Sequence, residues 1–307
     1  MKLSEPTTKI VLKNVLFTTD FSPISQTALL FAESVARRYG SMLTVAHAIS
    51  PVETRMVPPE GWGACQQAMD EAACERMNVL DQRLRTLPHQ VVIEHGLVGD
   101  VIAELIEKTN ADLLVMGTHG RSGVSRLLMG SVAEEIFRQA PCPVLTIGPR
   151  VSVQASHEAE FKEIIFATDL NPESLAAPYA LSLAQEFQAR LTLVHVVPRD
   201  AGPGAYSEYS VEAWTNDLRS LVPADAELWC RPECEVRFGV PADGILDVAA
   251  ERHADLIVLG VHSTAGRVRA ATHAIAATAH SVVSWAACPV LTVRERRAQE
   301  GAALSID

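Results

Sequence analysis

Val15-Leu-Phe-Thr-Thr-Asp20 returns as Ile164-Ile-Phe-Ala-Thr-Asp169. Leu43-Thr-Val-Ala-His47 returns as Leu191-Thr-Leu-Val-His195, and Ala111-Asp-Leu-Leu-Val-Met-Gly117 as Ala254-Asp-Leu-Ile-Val-Leu-Gly260. Cys142-Pro-Val-Leu-Thr146 returns as Cys288-Pro-Val-Leu-Thr292. Four matches in one order, at nearly one offset, make the chain two copies of one domain. The small drift in offset needs only loop insertions and deletions, which surface loops tolerate. A length of 307 residues suits two domains, here 1–150 and 151–307. Residues 149–161, polar and short on order-promoting residues, form the link.

Each copy alternates strand and helix. Runs such as Leu113-Leu-Val-Met116 and Val144-Leu-Thr-Ile147 are continuously apolar, as strands buried on both faces are. Between the first two strands, Ala28, Phe31, Ala32, Val35, Ala36 and Tyr39 recur at spacings of three and four, one helical stripe facing a sheet. Ser22-Pro23 opens that helix with a cap and an N-terminal proline, and Gly40 follows its end. Asn171-Pro172 repeats the entry in the second copy. The pattern predicts an α/β fold of two tandem doubly wound parallel-sheet domains, Rossmann-like, with ligands at the carboxyl ends of the strands. Residues 49–75 and 198–213, rich in Pro, Gly and charge, read as surface loops or lids, with a helix over roughly 64–87.

Composition narrows the function. Apolar residues make up 48% and aromatics 5%, so the cores are aliphatic. The net charge of −11 and the lack of a basic tract argue against nucleic acid as a partner. No apolar run approaches membrane-spanning length, so no membrane partner is expected. The N-terminus carries charge within its apolar part and no clean signal-peptide core, which points to the cytoplasm. The six cysteines form no CxxC pair. The nearest approach, Cys230-Arg-Pro-Glu-Cys234, reads as two unrelated thiols in a reducing compartment.

The chemistry sits after the fourth strand of the first copy. Gly117-Thr-His-Gly120 is followed, nine residues later, by Gly130-Ser131. The glycines permit close backbone approach and positive φ. Such a turn can offer several N–H groups to an anion, and a helix beginning at Ser131 adds its positive dipole end. Arg121 and Arg126 could add charge. Spacing alone also admits a plain structural reading. Ser131 and Glu134 fit a capping box, and Gly117 could simply end a strand in a turn. Asp20 follows the first strand at the expected ligand edge. It could hold a ribose hydroxyl, an adenine amine or a metal ion near phosphates, or cap the helix near Pro23 in competition with Ser22. His119 could bond a phosphate or pack on the loop. His47 and His195 read as structural.

These residues resemble a known family. Gly117, Gly120, Gly130 and Ser131 match the Gly-x2-Gly-x9-Gly-Ser/Thr motif of universal stress proteins, and the closing Pro-Cys-Pro-Val-Leu-Thr is similar to theirs. The resemblance covers nearly the whole chain as two copies and implies an adenine-nucleotide α-hydrolase-like fold. In ATP-binding members it implies that Asp20 contacts the nucleoside end with Thr18 and Thr19 beside it. Ala48 would offer backbone to adenine, Met116 and Gly117 would line the ribose side, and His119, Gly120, Gly130, Ser131 and Val132 would surround the phosphates, with Arg121 nearby. The implied cofactor is ATP, or AMP or ADP, with Mg2+ or Mn2+ as a companion. The last strands, Val144–Ile147 and Val290–Val293, would pair the two domains within the chain, and a homodimer of such pairs is expected.

The second copy departs from the motif. Ser263 replaces the second glycine, His273-Ala274 replaces Gly-Ser, and Ala277 replaces the capping-box acid. Arg267 and Arg269 read as a solvated basic loop. One nucleotide per chain, in the first domain, is the expectation. Three functions compete: a nucleotide-binding stress regulator, a slow metal-dependent ATPase, and a scaffold that binds no nucleotide. The sequence offers no acid–base pair, P-loop lysine or nucleophile motif for turnover.

Overall fold

The computed structural model describes residues 10–51, 58–118, 129–151, 159–171, 174–198, 208–224, 226, 230, 232–262 and 270–295. The first half runs β1 (Asn14–Thr18), α1 (Pro23–Tyr39), β2 (Met42–Ile49), α2 (Trp62–Arg83), β3 (His89–His95), α3 (Val98–Thr109), β4 (Leu113–Gly117), α4 (Ser131–Gln139) and β5 (Val144–Ile147). The second runs β6 (Glu163–Ala167), α5 (Ala176–Phe187), β7 (Arg190–Pro198), α6 (Glu208–Ser220), β8 (Glu233–Gly239), α7 (Pro241–Glu251), β9 (Leu256–His262), α8 (Ala270–Trp285) and β10 (Val290–Glu295). The ten strands form one sheet in the order β3-β2-β1-β4-β5-β10-β9-β6-β7-β8. Within each half the pairs are parallel. Strand order reverses at β1/β4 and again at β6/β9, where doubly wound sheets open a crevice.

The halves join edge to edge. β5 and β10 pair antiparallel, Leu145 opposite Leu291, with Val290 opposite Thr146 and Thr292 opposite Val144. The repeated threonine stitches this seam reciprocally. Thr146 Oγ1 donates to Val290 O at 3.1 Å, and Thr292 Oγ1 donates to Val144 O at 3.3 Å. Both hydroxyls are buried, so each needs its partner. A second repeated device holds the starts of β1 and β6. Asp112 Oδ2 accepts from Lys13 N and Asn14 N at 2.7 and 2.9 Å, and Asp255 Oδ2 accepts from Lys162 N and Glu163 N at 2.9 and 3.0 Å. The aspartate of the repeated Ala-Asp-Leu motif therefore clasps a neighbouring strand.

Helices cover both faces. One apolar layer gathers α1 and α5 with residues of α2 and α6, and the other gathers α3, α4, α7 and α8; each layer is continuous across the seam. The α1 stripe behaves as its spacing dictates: Ala28, Phe31, Ala32, Val35 and Ala36 are buried. Ser22 caps α1 by accepting from Ser25 N, Pro23 is the first helical residue, and Gly40 ends it in left-handed backbone at φ 66°.

Several expectations need correction. α5 starts at Ala176, not at the position matching Pro23; Pro172 itself lies outside the described residues. Ser174 N bonds Asn171 O, and Ser174 Oγ accepts from Ala176 N, so a local turn replaces the cap. The segment read as loop over 198–213 gives way to α6 from Glu208, because Leu218 on that helix reaches the core. The helix expected over 64–87 is α2, Trp62–Arg83. The end of the polar link is core: Ala159 and Phe161 are buried. Among the described residues no helix is long and apolar enough to cross a membrane.

The buried thiols are inert. Burial pushes Cys142 and Cys230 up to about 11 and Cys288 up to about 12, while Cys74 is exposed. The thiolate is the reactive form. Iodoacetamide at pH 8 is therefore expected to alkylate Cys74 in the folded protein and to spare those three, as read by peptide mass spectrometry. Because the folded values are raised, unfolding becomes more favourable as pH rises above the ordinary thiol range.

Candidate functional site

At the carboxyl edge of β1, β2 and β4 lies a cavity of about 350 Å3. Of the sequence-chosen residues, it gathers Thr18, Thr19, Asp20, Ala48, Met116, Gly117, Gly130, Ser131 and Val132. His119, Gly120 and Arg121 lie outside the described residues, as does Arg126. The cavity also takes in residues that were not singled out: Thr118, Ser25, and an apolar floor of Val98, Val101, Ile102 and Leu105 from α3. The floor's signal was present in sequence as the helical spacing Val98, Val101, Ile102, Leu105, but a core stripe has the same spacing.

The turn after β1 aims Asp20. Phe21 adopts left-handed backbone at φ 63°, and Leu170 repeats it at φ 68°. Such backbone is costly for a large side chain and is held by its surroundings. Thr19 Oγ1 accepts from Phe21 N at 2.9 Å, and Asp20 Oδ1 accepts from Ser22 N at 3.0 Å. Ser25 Oγ donates to Ser22 O at 2.9 Å, so in the 3.0 Å contact between Thr19 Oγ1 and Ser25 Oγ the threonine donates. Each hydroxyl proton is thus assigned. Asp20 is left with Oδ2 buried and without a hydrogen-bond partner. Capping α1 falls to Ser22, which releases Asp20 from that role.

His47 supports the same turn. A carbonyl only accepts, so Nδ1 of His47 carries the proton it donates to Thr19 O at 2.7 Å. The ring packs on Phe21 at 4.4 Å between centroids, and Arg76 stands over the Phe21 ring at 5.3 Å. His195 donates likewise to Thr168 O at 2.9 Å. The structural reading of these histidines matches these bonds, though His47 also lines the cavity.

Across the cavity is the start of α4. Gly130 is the N-cap residue, and among the described residues no side chain caps the helix. The capping-box reading therefore fails: Ser131 is already the first helical residue, and Glu134 pairs with Arg138 at 2.8 Å instead. Gly130 is not required for positive φ, since its φ is −63°. It is required for closeness. Gly130 N donates to Thr118 O at 2.9 Å, and a Cβ there would stand 3.2 Å from that same oxygen. An uncapped first turn leaves donors and a positive dipole end for an anion.

The second half differs at the matching place. The connection between β4 and α4 spans 118–130, whereas β9 runs through His262 and α8 begins at Ala270, so only 263–269 connect them. His273 and Ala274 are consequently the fourth and fifth residues of α8, not its cap as the glycine spacing implied. Ser263, Arg267 and Arg269 lie outside the described residues.

Among the described residues no group of three or more His, Cys, Asp or Glu is placed to hold a metal ion. Among the described residues Asp20 is the one carboxylate lining the cavity. A divalent cation there would take most of its oxygen ligands from phosphate and water.

A model of the Universal stress protein family matches residues 12–148 and again residues 160–294. A universal stress protein of Methanocaldococcus jannaschii is 30% identical over 139 residues, covering 44% of this chain and 81% of its own. Universal stress protein A homolog 1 of Coxiella burnetii is 35% identical over 145 residues, 44% of this chain and 95% of its own. The crystal structure of a universal stress protein from Archaeoglobus fulgidus superposes with a TM-score of 0.68, covering 92% of this chain and 98% of that one. At 18% identity it speaks for the fold alone. With its parallel α/β halves and both segments matched by one family model, the chain belongs to the universal stress protein family, as a tandem member.

Proposed function

We propose that this chain is an adenine-nucleotide-binding regulatory protein of the stress response, holding ATP, ADP or AMP in its first half and none in its second. One observation carries the reading. A single cavity brings the buried, unpartnered Oδ2 of Asp20 to one side and the uncapped start of α4 to the other. An unpaired buried carboxylate oxygen is costly and calls for a donor. A ribose hydroxyl or an adenine amine supplies one, while Val101, Ile102, Leu105 and Met116 receive the apolar faces of the base. The phosphates then reach the first turn of α4. The cavity's size suits a small ligand of this kind.

Binding rather than turnover is favoured by the ionisable groups at hand. Among the described lining residues these are Asp20 and His47, and His47 is engaged in supporting the turn. Bound nucleotide would act by biasing a conformation or an assembly, including the expected homodimer.

The test is direct. The purified protein is denatured, any released nucleotide is identified, and added ATP is followed over time. One adenine nucleotide per chain without turnover is the expected result. Asp20→Ala removes a charged acceptor, whose hydrogen bond contributes about 1.5–3 kcal/mol, so affinity is expected to fall by about tenfold to a hundredfold. No nucleotide released and none bound at millimolar concentration would leave the scaffold reading. Turnover well above background would favour the ATPase.

A further inference from the structure

A second cavity, of about 250 Å3, lies between β2 and α2. Side chains alternate along a strand. Val45 belongs to the apolar layer of α1 and α2, and Ala46 to the opposite layer. Ile49 therefore faces the second cavity while Ala46 and Ala48 face the first, and His47 borders both. The roof is the N-terminal part of α2. No residue from Trp62 to Ala72 is buried, and the buried residues of the helix are Ala73 and Met77. Above the cavity stand Ala68, Ala72 and Ala73, whose short side chains leave the space beneath them open. The overhanging turns are pinned to the end of β3, where His95 Nε2 meets Asp70 Oδ1 at 2.7 Å. A further cavity of about 240 Å3 adjoins, with His95 on its border and Ile49 and Met69 shared between the two.

The second half fills the matching place with a ring of its own. His47 lies opposite Ile93 and His195 opposite Val236, so His95 on β3 corresponds to Phe238 on β8. Trp214 of α6 sits 6.1 Å from His195 and 6.1 Å from Phe238, between centroids. In the first half α2 sends no ring between His47 and His95, since its one aromatic residue, Trp62, is exposed. The open space is thus the counterpart of an indole. At its rim Arg76 stands over the Phe21 ring at 5.3 Å and has no acid partner among the described residues. Arg83 on the same helix, by contrast, bridges Glu33 at 2.6 Å. A guanidinium whose face rests on an aromatic ring still offers its edge as a fork of donors, which matches a carboxylate.

We propose that this cavity is a second ligand site, for a small aromatic carboxylate. The ring enters between α2 and Ile49 beside Met69, whose sulfur favours aromatic contact, and the carboxylate pairs with Arg76. The site does not rest on the nucleotide reading of the first cavity.

Cys65 lines the cavity and reports on it, while Cys74, exposed on the same helix, is the control. The wild-type protein is titrated with indolepropionate, and alkylation by iodoacetamide is followed at each thiol by peptide mass spectrometry. Saturable loss of Cys65 alkylation is expected, with Cys74 unchanged. No protection of Cys65 at millimolar probe overturns the site, and so does equal protection of both thiols. Indolepropionamide keeps the ring and removes the charge; R76Q removes the other member of the pair. Each is expected to weaken binding by about tenfold or more in equilibrium dialysis. Unchanged affinity in either case overturns the pairing with Arg76. M69W supplies from α2 a ring like the one that Trp214 supplies in the second half, and is expected to abolish binding with unchanged circular dichroism. Retained binding would place the probe elsewhere and overturn the site. The protection and amide measurements need no variant, so they decide the matter even where a substituted chain fails to fold.

Discussion

Alanine in place of Gly130 is expected to weaken ATP binding by about a hundredfold. The added Cβ would stand 3.2 Å from Thr118 O, the oxygen to which Gly130 N donates. Thr118 cannot easily yield. It is 1% exposed, its N donates to Ile147 O at 2.9 Å, and its hydroxyl donates to the same oxygen at 3.3 Å. The helix cap must therefore back away, carrying with it the first N–H groups of α4. Losing the alignment of one or two charge-assisted hydrogen bonds costs about 3 kcal/mol in total, which is about a hundredfold in Kd. Gly63 on α2 is the control: a Cβ there meets nothing within 4 Å, so G63A is expected to leave affinity unchanged. Isothermal titration with ATP reads both. Affinity of G130A within threefold of wild type would mean that the phosphates are not held at the start of α4.

Much of this was legible because the repeat made each feature appear twice. The parallel strands flanked by helices in each half follow from continuous apolar runs alternating with an amphipathic stripe, and the joining of β5 to β10 is what the family resemblance implied. What the sequence could not separate were roles that share one spacing. Ser131 and Glu134 have the spacing of a capping box, but the cap position falls on Gly130, and only the backbone shows that. Val98, Val101, Ile102 and Leu105 have the spacing of core, and they are core that happens to floor a cavity. The onset of α8 at Ala270 was hidden for a related reason. Residue counts from Gly117 to Gly130 and from Gly260 to His273 are equal, so the alignment placed a helix start at His273 that the second chain segment reaches earlier. The partner of each buried hydroxyl, such as Thr146 with Val290 O across the seam, is a long-range fact.

The second large effect concerns the seam between the halves. Phe161→Ala is expected to destabilise the whole chain by about 3–5 kcal/mol, the usual range for emptying a buried aromatic site. Phe161 stands just before β6, 1% exposed. It stacks on Phe31 of α1 in the first half at 5.9 Å and 13°, and meets Phe187 of α5 in the second edge-on at 4.8 Å and 64°. Aromatic pairs of this geometry contribute beyond their buried area. The side chain therefore belongs to both cores at once, and the apolar layer around it is continuous from α1 to α5. If the halves were independent units joined by a linker, the substitution would lower only the second half's transition. A shared core predicts that both fall together. Trp62 reports on the first half, and Trp214 and Trp285 on the second, so urea titrations of single-tryptophan variants can follow each half separately. Phe161→Leu keeps an apolar group of similar volume and is expected to cost under about 1.5 kcal/mol. An unshifted Trp62 transition in Phe161→Ala would show that the first half stands without this contact. The β5–β10 strand pair would then be the main tie between the halves.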